Sequence, residues 1–256
     1  MQEKNKYDYH YLVTKLNHYL KLKTIPIGMK RFKESTELAN IPKLRRPKTK
    51  LNMDQVVGQS RWLGYTIGVT VDDLISPQCS AVVGLSPRNK HFLSGHLFNG
   101  VWFSSIDDSK KHQEAMTCAE HGEYESLAVS PLVSGRLGDP EICLIYATPG
   151  QMITLINGLQ WKGYKKYSFT CVGESACADS WGNALRTGEP SLSIPCYAER
   201  KFGGVQDDEL LIALPPSYLP RIVEGLEALS KNGLRYPIPN HGLDQSPLNN
   251  LIASYA

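Results

Sequence analysis

Ile142-Cys143-Leu144-Ile145-Tyr146-Ala147-Thr148-Pro149-Gly150-Gln151 decides the fold class. From Ile142 to Ala147 the run is apolar without a break, as expected of a strand buried on both faces. Thr148 has Gln151 three residues later, the spacing at which a side-chain oxygen caps a free helical N–H while the glutamine reaches back. Pro149 suits the first helical turn, where its missing N–H removes no hydrogen bond. A buried strand running into a capped helix belongs to a chain that mixes strands and helices in one layered core.

The same grammar occurs earlier in the chain. Asn52 and Gln55 repeat the capping spacing, Val56, Val57 and Leu63 supply apolar positions, and Gly64 stands where a left-handed residue would end the helix. That helix closes on Trp62-Leu63-Gly64-Tyr65, and the later one on Trp161-Lys162-Gly163-Tyr164. Each leads to a predicted strand (Tyr65 to Thr70; Tyr167 to Val172) and then to a cysteine-alanine segment (Cys79-Ser80-Ala81; Cys177-Ala178). The repetition predicts an internal duplication over about 25–86 and 141–188, arranged about a pseudo-twofold, within one domain spanning 1–256. Chance recurrence of a short motif is the alternative. The expected fold is α/β (mixed α+β), a mixed sheet with packed helices built from two related β-α-β halves.

The remaining segments fill this frame. An amphipathic helix is predicted over Asp8 to Leu22, a strand over Ile25 to Phe32, and a hairpin then a helix between Pro87 and Gly122. Strands follow over Ser191 to Pro195 and Glu209 to Leu214. A last helix is capped by Ser217 and ends near Gly233, and an extended tail runs from Tyr236 to Gly242.

Composition narrows the class. In 256 residues, 41% are hydrophobic and 21% charged, which excludes collagen-like, coiled-coil and disordered chains. Met1 to Lys6 lacks the apolar run of a signal peptide, no segment approaches the roughly 20 apolar residues of a membrane span, and a cytoplasmic protein is expected. The six cysteines include no C-x-x-C pair, so reduced thiols are expected rather than a disulfide framework or a zinc knuckle. The formal charge of +3 demands no nucleic-acid or membrane partner. The basic run from Lys30 to Lys50 reads as a solvated connector, with a basic rim for an anionic ligand as the alternative.

The order of segments resembles the uncharacterised bacterial and archaeal family known as domain of unknown function 169. The residues that carry the resemblance are Leu20 to Lys30; Gln59-Ser60-Arg61-Trp62-Leu63-Gly64-Tyr65 with Cys79 to Leu85; Ala128 to Leu132; Ile145 to Met152; and Asp208 to Pro215. The resemblance implies a fold shared over about residues 12 to 240 and leaves the reaction open. It also implies a cysteine near the start of the second helix, where this chain has Met53 and Asp54.

Absent motifs remove several chemistries. There is no phosphate loop, no dinucleotide-binding glycine turn, no nucleophile elbow and no H-E-x-x-H. The stretch Cys171 to Cys177 is predicted where a strand ends and a helix begins, a place where open sheets bind ligands. Exposed helical N–H groups there would favour a thiolate at Cys177, with Glu174 as acid or base and Cys79 in the corresponding place of the other half; Cys196 is a third thiol. Arg61 and Arg200, with Trp62 and Tyr65, are the expected substrate anchors. His91, His96, Cys118 and His121 are a candidate metal set.

The expected function is a cytoplasmic enzyme or ligand-processing protein, a lyase or hydrolase acting without a nucleotide cofactor on a small organic acid or aromatic ligand. The alternative is a non-catalytic metal, haem or small-molecule binding module. No organic cofactor is expected, a metal remains open, and the tyrosines at 7, 9 and 11 suit packing or a homo-oligomer.

Overall fold

The computed structural model describes residues 6–238. At its centre lies β4 (Ile142–Ala147), buried on both sides. Its side chains alternate: Ile142, Leu144 and Tyr146 enter one core, and Cys143, Ile145 and Ala147 enter the other. The unbroken apolar run therefore serves two cores at once.

Around β4, six strands form one sheet. β1 (Ile27–Phe32) pairs with β4 and with β3 (Ser126–Pro131), and β3 pairs with β2 (Ile67–Thr70). On the other side β4 pairs with β6 (Leu210–Leu214), and β6 pairs with the short β5 (Ser191–Ser193). The order is β2-β3-β1-β4-β6-β5. All these pairs are antiparallel, and the parallel component expected of a mixed sheet is reduced to single bridges such as Arg45 with Ile67.

The two halves of the sheet repeat one pattern: first strand at the centre, second at the edge, third between them. Their helices differ. α2 (Met53–Leu63) packs on the Tyr146 side, whereas α6 (Pro149–Gln160) packs on the Cys143 side with α1 (Tyr9–Leu20) and α9 (Leu219–Lys231). Residues 167–172 form no strand. The Asp179 carboxylate accepts the Thr170 hydroxyl (2.8 Å) and the Val172 N–H (2.7 Å), so this backbone is held by a side chain instead of a sheet neighbour.

On the α2 side lie α3 (Pro77–Val82) and a π-helical turn (Ala178–Gly182) with fully buried Trp181, continued by α7 (Asn183–Thr187). Instead of the expected hairpin, α4 (Lys90–Leu93) and α5 (Ile106–Ala115) occupy the middle region. α8 (Tyr197–Gly203) lies against α2 at a point where glycine is required, because a Cβ on Gly58 would stand 2.7 Å from the Gly203 carbonyl oxygen. α9 starts after a 3-10 turn (Pro216–Tyr218) and Ser217 does not cap it. Most of the expected extended tail, from residue 239 on, lies outside the described residues.

The basic connector is less solvated than its charge suggests. Leu38 and Ile41 are buried with Phe32, Ala128 and Leu137, and cover the sheet face that the helices leave open. Lys43, Arg45, Arg46, Lys48 and Lys50 face solvent. Among the described residues no helix is long and apolar enough to cross a membrane.

Candidate functional site

The start of α2 sets the first wall of a cleft. Asn52 caps the helix, accepting from the Asp54 N–H (3.0 Å) while its own N–H donates to Gln55 Oε1 (2.8 Å). Asp54 thus sits in the first turn, turned inward. The start of α8 has the same construction, with the Cys196 N–H donating to Glu199 Oε2 at 3.0 Å. The Gly58–Gly203 contact presses these two helices together and brings Asp54, Cys196 and Glu199 to one place.

Opposite stand α3 and the π-helical turn. Cys79 Sγ and Cys177 Sγ are 3.9 Å apart, and Cys177 Sγ is 3.7 Å from the Ser175 carbonyl. The loop before Cys177 is held under strain: Ser175 has φ of 68°, a left-handed conformation unusual for a residue other than glycine. Several bonds fix it there. Gln78 Nε2 donates to Ser175 Oγ (2.5 Å), His112 Nε2 donates to the Glu174 carbonyl (2.7 Å), and the Glu174 carboxylate accepts the Tyr197 N–H (3.2 Å).

Between these walls is a cavity of about 280 Å³. Asp54, Cys79, Cys177 and Cys196 form its floor, and Phe92, Phe98, Trp102 and Tyr197 its aromatic sides. Trp102 is 43% exposed and lies 5.8 Å from the Tyr197 ring, so the mouth is apolar and open while the floor is polar and buried.

Burial governs the acidity of the floor. Asp54 is 2% exposed, neither of its carboxyl oxygens has a hydrogen-bond partner among the described residues, and burial pushes it up to about 7. Glu199 is raised to about 8, first by burial and then by the nearby Asp54 charge. The Cys196 thiol rises to about 12 through burial. The Cys79 contact and burial push Cys177 well above the ordinary thiol range. The thiolate expected at Cys177 is opposed by its surroundings: its partners are a thiol and a carbonyl, and among the described residues none lowers its pKa.

Of the residues singled out in the sequence, Cys79, Glu174 and Cys177 meet in this cleft, with Cys196 beside them. The expected anchors do not reach it. Arg61 is 1% exposed, paired with Glu209, donating from Nε to Thr24 Oγ1 (2.7 Å) and stacked 4.0 Å over Tyr146. Arg200 is exposed and pairs with Asp207 at 3.2 Å. Arg45 covers Tyr65 at 3.5 Å, and Trp62 packs by Gly204. The four expected metal ligands are scattered, with His91, His96 and His121 on the surface and Cys118 half-buried. Among the described residues no three His, Cys, Asp or Glu side chains are grouped to hold a metal ion.

Sequence reading missed Asp54, Glu199 and the aromatic sides. One signal for the carboxyls was present: Cys196 and Glu199 have capping-box spacing. No periodicity marks the aromatics, which come from α4, the irregular segment after it and α8.

Fold and site together define a mixed α/β protein with an antiparallel sheet and a small acidic, thiol-floored cleft. The chain belongs to the uncharacterised ArCR family, domain of unknown function 169, which matches residues 15–225. A stretch of 126 residues is 33% identical to the uncharacterized protein MJ0308 of Methanocaldococcus jannaschii, covering 49% of this chain and 53% of that protein. The chain thus spans about half the length of this curated relative. No solved structure matches.

Proposed function

We propose that this chain is an enzyme of lyase or hydrolase type that performs acid–base chemistry, without a nucleotide cofactor, on a small molecule with an aromatic or apolar body held in the cleft. Asp54 carries the reading. An unpartnered buried polar group costs about 1–3 kcal/mol, a sizeable part of a typical folding stability. Such a group at the floor of a cavity is accounted for by a ligand that supplies the missing bond. Acidities near neutrality suit a group that must both take and release a proton. Two neighbouring buried carboxyls do not ionise together, so Glu199, behind the cleft lining, holds its proton and leaves Asp54, which lines the cleft, as the base.

The lining supports an aromatic ligand over an organic acid. Phe92, Phe98, Trp102 and Tyr197 offer ring faces, and no Lys or Arg lines the cleft among the described residues. The second reading, a small-molecule binding module, is favoured by the same aromatic sides and is separated from the first by product formation.

The test is a thermal-shift screen of small aromatic amines, amides and alcohols, followed by nuclear magnetic resonance of each hit incubated with the protein. Asp54→Asn should leave binding within several-fold and lower turnover by ~10²-fold or more. Binding without product would establish the binding module. Hits whose binding ignores substitution of both Asp54 and Phe98 would place the ligand elsewhere and sink the cleft reading.

A further inference from the structure

We propose that Cys79 and Cys177 are a reversible dithiol–disulfide pair on the floor of the cleft, oxidised by a small hydroperoxide that the cleft admits. The two sulfurs come from segments 98 residues apart and stand 3.9 Å from each other. A disulfide needs a separation of about 2 Å, so modest rotation of the two side chains closes the gap. Burial of two thiols together is not by itself chemistry, since free cysteines commonly pack as small hydrophobes. What distinguishes this pair is access: both sulfurs line a cavity that opens to solvent between Trp102 and Tyr197. Cys143 gives the contrast, fully buried within β4 and lining none of the cavity. A volume of about 280 Å³ admits a small peroxide and is too small for a protein disulfide.

The step balances. Cys79, the more exposed of the two at 7% against 2%, attacks the peroxide. An S–O bond forms, the O–O bond breaks, and the departing alkoxide or hydroxide leaves with the thiol proton as alcohol or water. Cys177 then attacks the sulfenic sulfur; the S–S bond forms, the S–O bond breaks, and hydroxide leaves as water with the Cys177 proton. Two thiols are oxidised by two electrons, and the peroxide is reduced. The 3.9 Å separation makes the second step intramolecular, and Cys177 gives up its proton as it attacks. A small thiol reverses the reaction by exchange. None of this depends on the acid–base reading of Asp54.

The test uses the reduced wild-type chain, treated with hydrogen peroxide or tert-butyl hydroperoxide, alkylated, digested without reduction and mapped by mass spectrometry. The expected product is a Cys79–Cys177 linked peptide lighter by two hydrogens and reopened by dithiothreitol, with Cys143 still alkylated. In Cys177→Ser, Cys79 should stop at a sulfenic acid that dimedone traps. Free Cys79 and Cys177 after the exposed Cys171 has been oxidised would overturn the proposal, as would a link from either of them to Cys196. The wild-type map decides the matter even where a variant fails to fold.

Discussion

Helix α2 buries a charged residue at each end, Asp54 in its first turn and Arg61 in its last, and the two ends are treated oppositely. The helix dipole favours both, an acid at the N-terminus and a base at the C-terminus, so it does not tell them apart. Partners do. Arg61 meets the Glu209 carboxylate, the Thr24 hydroxyl and the Tyr146 ring, and Glu209 Oε2 also accepts the Gln206 N–H at 2.9 Å. The carboxyl oxygens of Asp54 meet no hydrogen-bond partner among the described residues, and its charge acts on another buried acid, Glu199. The ends therefore differ in degree: Arg61 leaves only Nη1 without a hydrogen-bond partner among the described residues, whereas both carboxyl oxygens of Asp54 lack one, and only Asp54 lines the cleft.

The sharpest way to break this contrast is at the Arg61 end. Glu209→Ala strands a buried guanidinium, and urea unfolding should show a loss of about 3–5 kcal/mol. A loss of under about 1 kcal/mol would erase the distinction between the two ends.

At the Asp54 end the expected effect has the other sign and depends on pH. Unfolded Asp and Glu release protons near 3.8 and 4.5, whereas the folded pair releases them near 7 and 8. Between these limits the folded chain holds more protons than the unfolded one, so stability falls as pH rises. The contribution is fully present below about pH 4 and is lost as pH rises through about 7 and then 8. Asp54→Asn should flatten the part between about 4 and 7 and should stabilise the protein at pH 8. Urea titrations at four pH values read both, and a wild-type curve that rises over this window would contradict the assignment.

The smallest effect is expected outside both ends. Arg200→Ala removes an exposed pair with Asp207 and should change stability by less than about 0.5 kcal/mol, leaving ligand binding in the cleft unaltered. Weakened binding on calorimetry would bring Arg200 back as an anchor.

Local features of this fold were legible because they depend on neighbours in sequence. The capping boxes at Asn52 and Thr148, the Gly64 stop and the double-faced run of β4 all follow from spacing alone. The segment 167–172 was misread because its β-branched and aromatic residues favour a strand, while the competing acceptor, Asp179, belongs to the following helical turn. Meeting of Cys79 with Cys177 was legible through the repeated order of segments. Arg61 was misjudged because its partner Glu209 lies 148 residues away, a distance at which sequence shows charge but not pairing.

The basic connector has one more consequence. Where it passes β2 it lends two backbone bonds, Arg45 N–H to the Thr66 carbonyl (2.8 Å) and Gly68 N–H to the Arg45 carbonyl (3.0 Å). Those are groups that the rim of an open sheet would otherwise offer to any passing extended chain. With Arg45 and Arg46 charged beside them and Pro47 unable to donate, a stranger strand meets a closed and electrically guarded border. A run of cations that invites thoughts of an anionic ligand thus also closes the free edge of β2.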